Sequence, residues 1–236
     1  MNQTATDANG PTPSPEQVKA DAARVLDVLG DGGVAIIPLD VAYAIVGQSE
    51  NAIRRIFDAK RRSYEKPSGM FGSWQLSEEL HDLPAEKREI IRTIVTEENL
   101  PFSVVAPFDA EHRLLSRVPS FVMASSSKEG TLDMLLNAGP LHTEMANQSI
   151  ERGYPVLGSS ANTSLKGSKY RLQDIEAEVR DATDIQIDHG RSKYANDEGR
   201  SSTIIDFRDF SVLRVGVCFD QLETVFSDRF GITLKH

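Results

Sequence analysis

The chain has 236 residues, 39% of them hydrophobic, with a formal net charge of −9 and a single cysteine, Cys218. That length supports one substantial hydrophobic core, and no run approaches the roughly 20 apolar residues of a membrane helix, so the expectation is a soluble, cytoplasmic, single-domain protein without membrane attachment. One cysteine rules out an internal disulfide and a thiolate metal cluster, and the negative balance means that any polyanion must be met by a local cationic patch.

Residues 1–13, MNQTATDANGPTP, have almost nothing to bury and read as a disordered arm, leaving 14–236 as the folded domain. Ser14 as N-cap, Pro15 at the first helical position, Gln17 three residues after the cap, and the apolar stripe Val18, Ala22, Val25, Leu26, Leu29 predict a first helix ending at Gly30. GVAIIPLD, residues 33–40, follows as a continuous apolar strand of the kind buried on both faces. A helix over Asn51 to Arg61 runs into the basic stretch NAIRRIFDAKRRSYEKP, where Arg54, Arg55, Lys60, Arg61, Arg62 and Lys66 outweigh Asp58 and Glu65. The plain reading is a solvated face with cations at the negative end of a helix; the other is a phosphate-binding patch. Further along, Pro84 to Glu98 predicts a helix, FSVVAP a strand, Leu141 to Arg152 a helix, YPVLGSS a strand, 172–180 a helix, IQID an extended segment, 199–216 a hairpin and Phe219 to Phe230 a closing helix. SSSKEG, residues 125–130, is expected to be the mobile internal loop. The alternation predicts an α/β protein, a twisted mixed β-sheet covered by helices.

Three polar clusters stand at the ends of apolar strands, where open α/β sheets place their ligands. They are Asp40 with Tyr43; Ser159, Ser160, Asn162, Thr163 and Ser164; and Ser201, Ser202 and Thr203, with Arg214 on the return strand. Each has an ordinary explanation, as turn and cap residues or as a cross-hairpin pair of Arg214 with Asp206 or Asp209. Together they supply donors for a phosphate chain and acceptors for a small polar substrate, which is what a nucleotide site requires. There is no G-x-x-x-x-G-K-[ST] or G-x-G-x-x-G, the five histidines have no zinc-ligand spacing, and Asn162 stands where a nucleophile elbow needs its second glycine. No dedicated metal site is expected.

Taken in order, PLDVAYAI (38–45), KRRSYEKP (60–67), SSANTSL (159–165), and STIIDF (202–207) with LRVG (213–216) resemble the motif series of the YrdC-like family, the threonylcarbamoyl-adenylate synthases of tRNA modification. The resemblance runs from about Gly33 to Phe226. It implies a YrdC-like single domain and an ATP-dependent enzyme: threonine and bicarbonate form a carbamate that attacks the α-phosphate of ATP, supplied with Mg2+, and releases pyrophosphate. tRNA or tRNA-modification proteins are the partners it implies. Carried over by position, Lys60, Arg62 and Arg214 would be catalytic cations, and Asp40, Tyr43, Lys66, Ser160, Asn162 and Ser202 would contact ATP or substrate, with Arg214 and Ser202 turned toward one anionic intermediate. The chain departs from the pattern in several places. Leu39 and Val41 replace two threonines, Ala44-Ile45 a Gly-Leu, Arg61 and Ser63 a glycine and a proline, and Leu165 a glycine. Leu135 stands where the family usually carries an arginine, which Arg113 or Arg117 could replace. A drier pocket keeps two alternatives open: a paralogue using another amine or carbamoyl donor, and a non-catalytic module that binds nucleotide or double-stranded RNA.

Overall fold

The computed structural model describes residues 12–64 and 66–236; all but the last two residues of the expected arm lie outside them. The first helix, α1 (Pro15–Gly30), starts where the cap residues place it: the Ser14 hydroxyl accepts from the Gln17 amide at 3.2 Å. Two strands follow, β1 (Ala35–Ile37) and β2 (Ala44–Gly47), paired antiparallel across a wide loop. Ser49 caps α2 (Glu50–Lys60) by accepting from the Ala52 amide at 3.1 Å. Next come β3 (Gly69–Phe71), α3 (Trp74–Leu80), α4 (Ala85–Thr96), β4 (Phe102–Pro107), α5 (Ser120–Ala124), β5 (Ser127–Lys128) and β6 (Thr131–Leu136). The remainder is α6 (Pro140–Arg152), β7 (Leu157–Ser160), α7 (Ala177–Arg180), β8 (Ile185–Gln186), β9 (Ile204–Asp206), β10 (Ser211–Arg214) and α8 (Phe219–Phe230).

All ten strands join one twisted mixed sheet in the order β10-β9-β4-β6-β3-β7-β2-β1-β8, with β5 hung on β6. The pairs β1/β8, β3/β6 and β4/β9 are parallel and the others antiparallel. Apolar layers cover both faces. Ile36 of β1 joins the cluster with Ile53, Phe57 and Met70, while Ala35 and Ile37 join the opposite cluster with Val25, Leu26 and Met145. Burial on alternate faces is why this stretch is apolar without a break. At the other edge Phe207, Phe210 and Phe226 pack edge to face with ring centroids 5.5 to 6.0 Å apart, clamping the β9–β10 hairpin against α8.

Several expectations change. GVAIIPLD is a strand only at Ala35–Ile37, because Pro38 and the turn after it leave the sheet. Of 172–180, only a 3₁₀ turn at Leu172–Asp174 and the short α7 are helical. SSSKEG is not a free loop: Ser127 and Lys128 pair with Leu132 and Thr131 as a tight hairpin. No helix among the described residues is long and apolar enough to cross a membrane.

Candidate functional site

A cavity of about 850 Å3 opens over one face of the sheet, within the usual size range of small-molecule sites. Its floor is made by side chains that alternate outward from neighbouring strands, including Ser103 of β4, Asp133 and Leu135 of β6, and Phe71 of β3. Three segments wall it: the basic turn after α2, the turn after β7, and residues 199–202 with the end of β10.

The basic turn owes its shape to Arg61, which closes α2 in the left-handed conformation at φ 50 and swings the chain outward. Arg62 then folds back on its own turn, donating from Nε to the Lys66 carbonyl at 3.1 Å and from Nη2 to the Pro67 carbonyl at 2.7 Å. Both Arg62 and Lys66 line the cavity. Arg214 arrives from the opposite wall. A register shift between Val212 and Arg214 sets it against Ile204, and Nε and Nη2 donate to the Ser202 carbonyl at 3.0 and 2.7 Å. Nη2 also reaches the Ser202 hydroxyl at 3.0 Å, which in turn lies 3.2 Å from the Ser103 hydroxyl. Nη1 makes no hydrogen bond among the described residues. The ordinary reading of Arg214 as a cross-hairpin ion pair fails, since Asp206 is held by Arg208 at 2.7 Å and Asp209 by Ser211 at 2.7 Å.

The two guanidiniums share one electrostatic neighbourhood. Burial, and then the charge of Arg214, work against the cationic form of Arg62; burial works against that of Arg214, opposed by Asp133. Two cations in one neighbourhood, Arg62 half-buried and Arg214 more exposed, are unfavourable unless an anion lies near them.

Gly216, the last residue of LRVG, makes the closure of this wall possible. A Cβ there would sit 2.2 Å from the Ser201 carbonyl oxygen and 2.4 Å from the Ser202 carbonyl carbon, and the Gly216 amide donates to the Thr203 hydroxyl at 3.0 Å. Gly216→Ala is therefore expected to destabilise the protein by about 2 kcal/mol in urea unfolding. A loss below about 0.5 kcal/mol would mean that the strand can move aside without strain.

Of the expected site residues, Tyr43, Arg62, Lys66, Ser160, Asn162, Ser202 and Arg214 come together around the cavity. Lys60 and Asp40 do not line it. Lys60 lies behind the wall, 1% exposed, and donates to the carbonyls of Ser160 and Asn162, the latter at 2.5 Å. Burial, and then the charge of Arg62, push its pKa down to about 7. It therefore shapes the S-x-N turn from the protein side. Asp40 lies against Gly139, whose φ of +109 lets the chain pass where a Cβ would come within 2.5 Å of the carboxylate. Burial raises its pKa, against the pull of Lys193. The Tyr43 hydroxyl is committed to the 188–190 loop, 2.7 Å from Asp188 Oδ1 and 2.8 Å from the Gly190 carbonyl. Burial, then the Asp188 carboxylate, raise its pKa well above the usual phenol range.

Asp133 escaped sequence reasoning. It lies on a strand that was not anticipated, and the only signal was an aspartate inside the apolar run TLDMLL. Its Oδ1 has no hydrogen-bond partner among the described residues, and neither do Ser126 Oγ, Ser159 Oγ and Asn162 Oδ1, all on residues that line the cavity. Burial raises the Asp133 pKa, opposed by Arg214, Ser103 and Arg62. Neither Arg113 nor Arg117 lines the cavity, so neither stands in for the arginine that Leu135 replaces. Leu39, Val41 and Phe71 join Leu135 there in an apolar end wall.

Comparison with known proteins identifies the family and the fold. The Sua5/YciO/YrdC family model, described as telomere recombination, matches residues 27–216. Sua5 of P. abyssi in complex with L-threonine superposes with a TM-score of 0.71 at 20% identity, covering 97% of this chain and 61% of that one. A hypothetical protein of Streptococcus mutans gives 0.77 at 20% identity, covering 90% of this chain and 93% of its own. E. coli YciO gives 0.64 at 19% identity, covering 89% and 93%. The chain thus spans about three fifths of the Sua5 chains it matches. With the family model over most of its length, and with the motif residues of four separate segments meeting around one cavity, the chain belongs to the Sua5/YciO/YrdC family.

Proposed function

We propose that the cavity binds ATP and forms an acyl-adenylate of the threonylcarbamoyl-AMP type, for use in tRNA modification. What carries this reading is the set of unpaired polar groups that converge there. Arg62 and Arg214 line the cavity, and Ser159 Oγ, Asn162 Oδ1 and Asp133 Oδ1, on residues that line it too, are buried without a hydrogen-bond partner among the described residues. Buried polar atoms without partners are rare and unfavourable, so a site that collects several is built for a polar, anionic ligand.

In this reading Arg62, Lys66 and Arg214 take the phosphates, and the S-x-N turn, braced by Lys60, contacts the nucleotide or its co-substrate. Mg2+ comes with ATP. An amine and bicarbonate condense to the carbamate, the new N–C bond replacing a C–O bond with loss of water; one carbamate oxygen then forms a bond to the α-phosphorus as the bond to the bridging oxygen of pyrophosphate breaks. The chain itself supplies no covalent chemistry. It holds the nucleophile and the phosphorus in line, and the two guanidiniums meet the charge that builds on the phosphoryl oxygens and the leaving pyrophosphate. The mixed anhydride would pass to a tRNA-modifying partner.

The test is pyrophosphate release from ATP with bicarbonate and Mg2+ across a panel of amino acids that includes threonine. Release with threonine or with another amine of the panel, lost in Arg214→Ala, is the expected result. Release only with another amine would mean a redirected paralogue. ATP binding with no release for any amine would leave a binding module and overturn the enzymatic reading.

A further inference from the structure

We propose that Asp133 sets the substrate class of this cavity: its carboxylate receives the ammonium of a primary amine whose hydrocarbon tail lies against Leu135, Phe71, Leu39 and Val41. The inference rests on the reading of the cavity as a nucleotide site for an amine co-substrate, and it deepens that reading.

The argument starts from strand alternation. Thr131, Asp133 and Leu135 project from the same face of β6, and all three line the cavity. Two residues along a strand span about 7 Å, so the face passes from a carboxylate to an apolar surface over the length of a small amine. Pairing extends both ends sideways: Asp133 is opposite Val105 of β4, while Leu135 is opposite Ser103 on one side and Phe71 on the other. Beside Asp133 on β3 stands Gly69, where a Cβ would come within 3.3 Å of Oδ2. Arg214, a hydrogen bond from the Ser103 side chain and Arg62 favour the charged form of Asp133, yet neither arginine makes a hydrogen bond to it, and Oδ1 has no hydrogen-bond partner among the described residues. A buried acceptor left open beside two cations is costly unless a ligand donor completes it. Phosphate on the guanidiniums would take up their charge and leave the carboxylate facing an ammonium.

The same geometry works against a substrate carboxylate at this end of the cavity. Where the family pattern has an arginine, this chain has Leu135, and a negative group stands two residues away on the same face. An anionic head there would meet repulsion from Asp133 and no new donor.

The experiment is calorimetric titration of 3-methylbutylamine, 3-methylbutanoate and threonine into the wild-type chain, Asp133→Asn and Leu135→Arg, each with and without ATP. The wild type is expected to bind the amine at least tenfold more tightly than the carboxylate of the same shape. Asp133→Asn, nearly isosteric, should lose about tenfold in amine affinity and close that gap. Leu135→Arg should invert it, so the proposal does not depend on one variant. Amine affinity unchanged within twofold in Asp133→Asn, or no amine binding by wild type in either condition, would overturn the proposal, as would an Asp133→Asn defect confined to Mg2+ dependence. ATP titrated into the same proteins separates the two readings. Asp133-dependent amine binding without ATP binding would remove the nucleotide reading and leave the carboxylate assignment standing. Normal ATP binding with amine affinity indifferent to Asp133 would remove only the assignment.

Discussion

Arg214→Ala is expected to lower ATP affinity by about ten- to a hundred-fold, the scale of one lost hydrogen bond to a charged group, while leaving the fold intact. Arg214 sits at the end of β10 on a cavity wall, and among the described residues its hydrogen bonds run only to Ser202, so its removal opens no core. Arg214→Lys should recover a minor part of the loss. A lysine keeps the charge, but one ammonium cannot hold the Ser202 carbonyl and reach a phosphate as a planar guanidinium can. Arg62→Ala should weaken binding by a similar factor, and the double variant should fall short of the product of the two. Each arginine disfavours the other in the free protein, so deleting one relieves the survivor. Calorimetric titration at two salt concentrations reads all of this. A loss below threefold for Arg214→Ala, at either salt, would remove Arg214 from the ligand's contacts and return it to hairpin bracing.

The parts of this molecule that sequence reasoning reached are those governed by local rules. The Ser14 hydroxyl caps α1, and the α1 stripe of Val18, Ala22, Val25, Leu26 and Leu29 is buried in full. The central strands were harder. β6 is the neighbour of both β3 and β4, yet it neither alternates cleanly nor stays apolar, because its cavity face carries Thr131 and Asp133 while its other face carries Leu132 and Met134. A strand whose polar residues serve a cavity looks like a loop in one dimension. Lys60 shows a different limit. In KRRSYEKP it stands two residues from Arg62, and spacing alone gives them the same role. Lys60 is in fact the last residue of α2 and faces inward, and the left-handed Arg61 reverses the chain, so the two cations lie on opposite sides of the same wall. The side a side chain faces at a helix end depends on the cap geometry, which the residue order does not display. Even so, the order of the motifs located the cavity, since four polar segments far apart in sequence could share one role only by meeting in space.

Lys60 also makes the protein's stability depend on pH, in a direction that follows from its burial. Its folded pKa of about 7 lies below the ordinary lysine value of 10.5. Between those two values the unfolded chain holds a proton that the folded chain has lost, so stability rises with pH across that window; below pH 7 the charged, buried form is an unrelieved burden. Neutralisation leaves the hydrogen bonding whole. An uncharged amine still has two N–H donors, and it faces two acceptors, the carbonyls of Ser160 and Asn162. Lys60→Met keeps the length of the side chain and removes both donors, which orphans the two carbonyls and loosens the S-x-N turn. We expect the stability difference between wild type and Lys60→Met, from urea unfolding, to widen by about 2 kcal/mol from pH 7 to pH 9. The variant should also bind ATP more weakly, although the replaced residue lies outside the cavity. A difference that stays constant with pH would mean that the ammonium remains charged in the folded protein, held by its two carbonyls. Lys60 would then be a fixed cation behind the wall, and its charge would add to the field that Arg62 and Arg214 present to a phosphate.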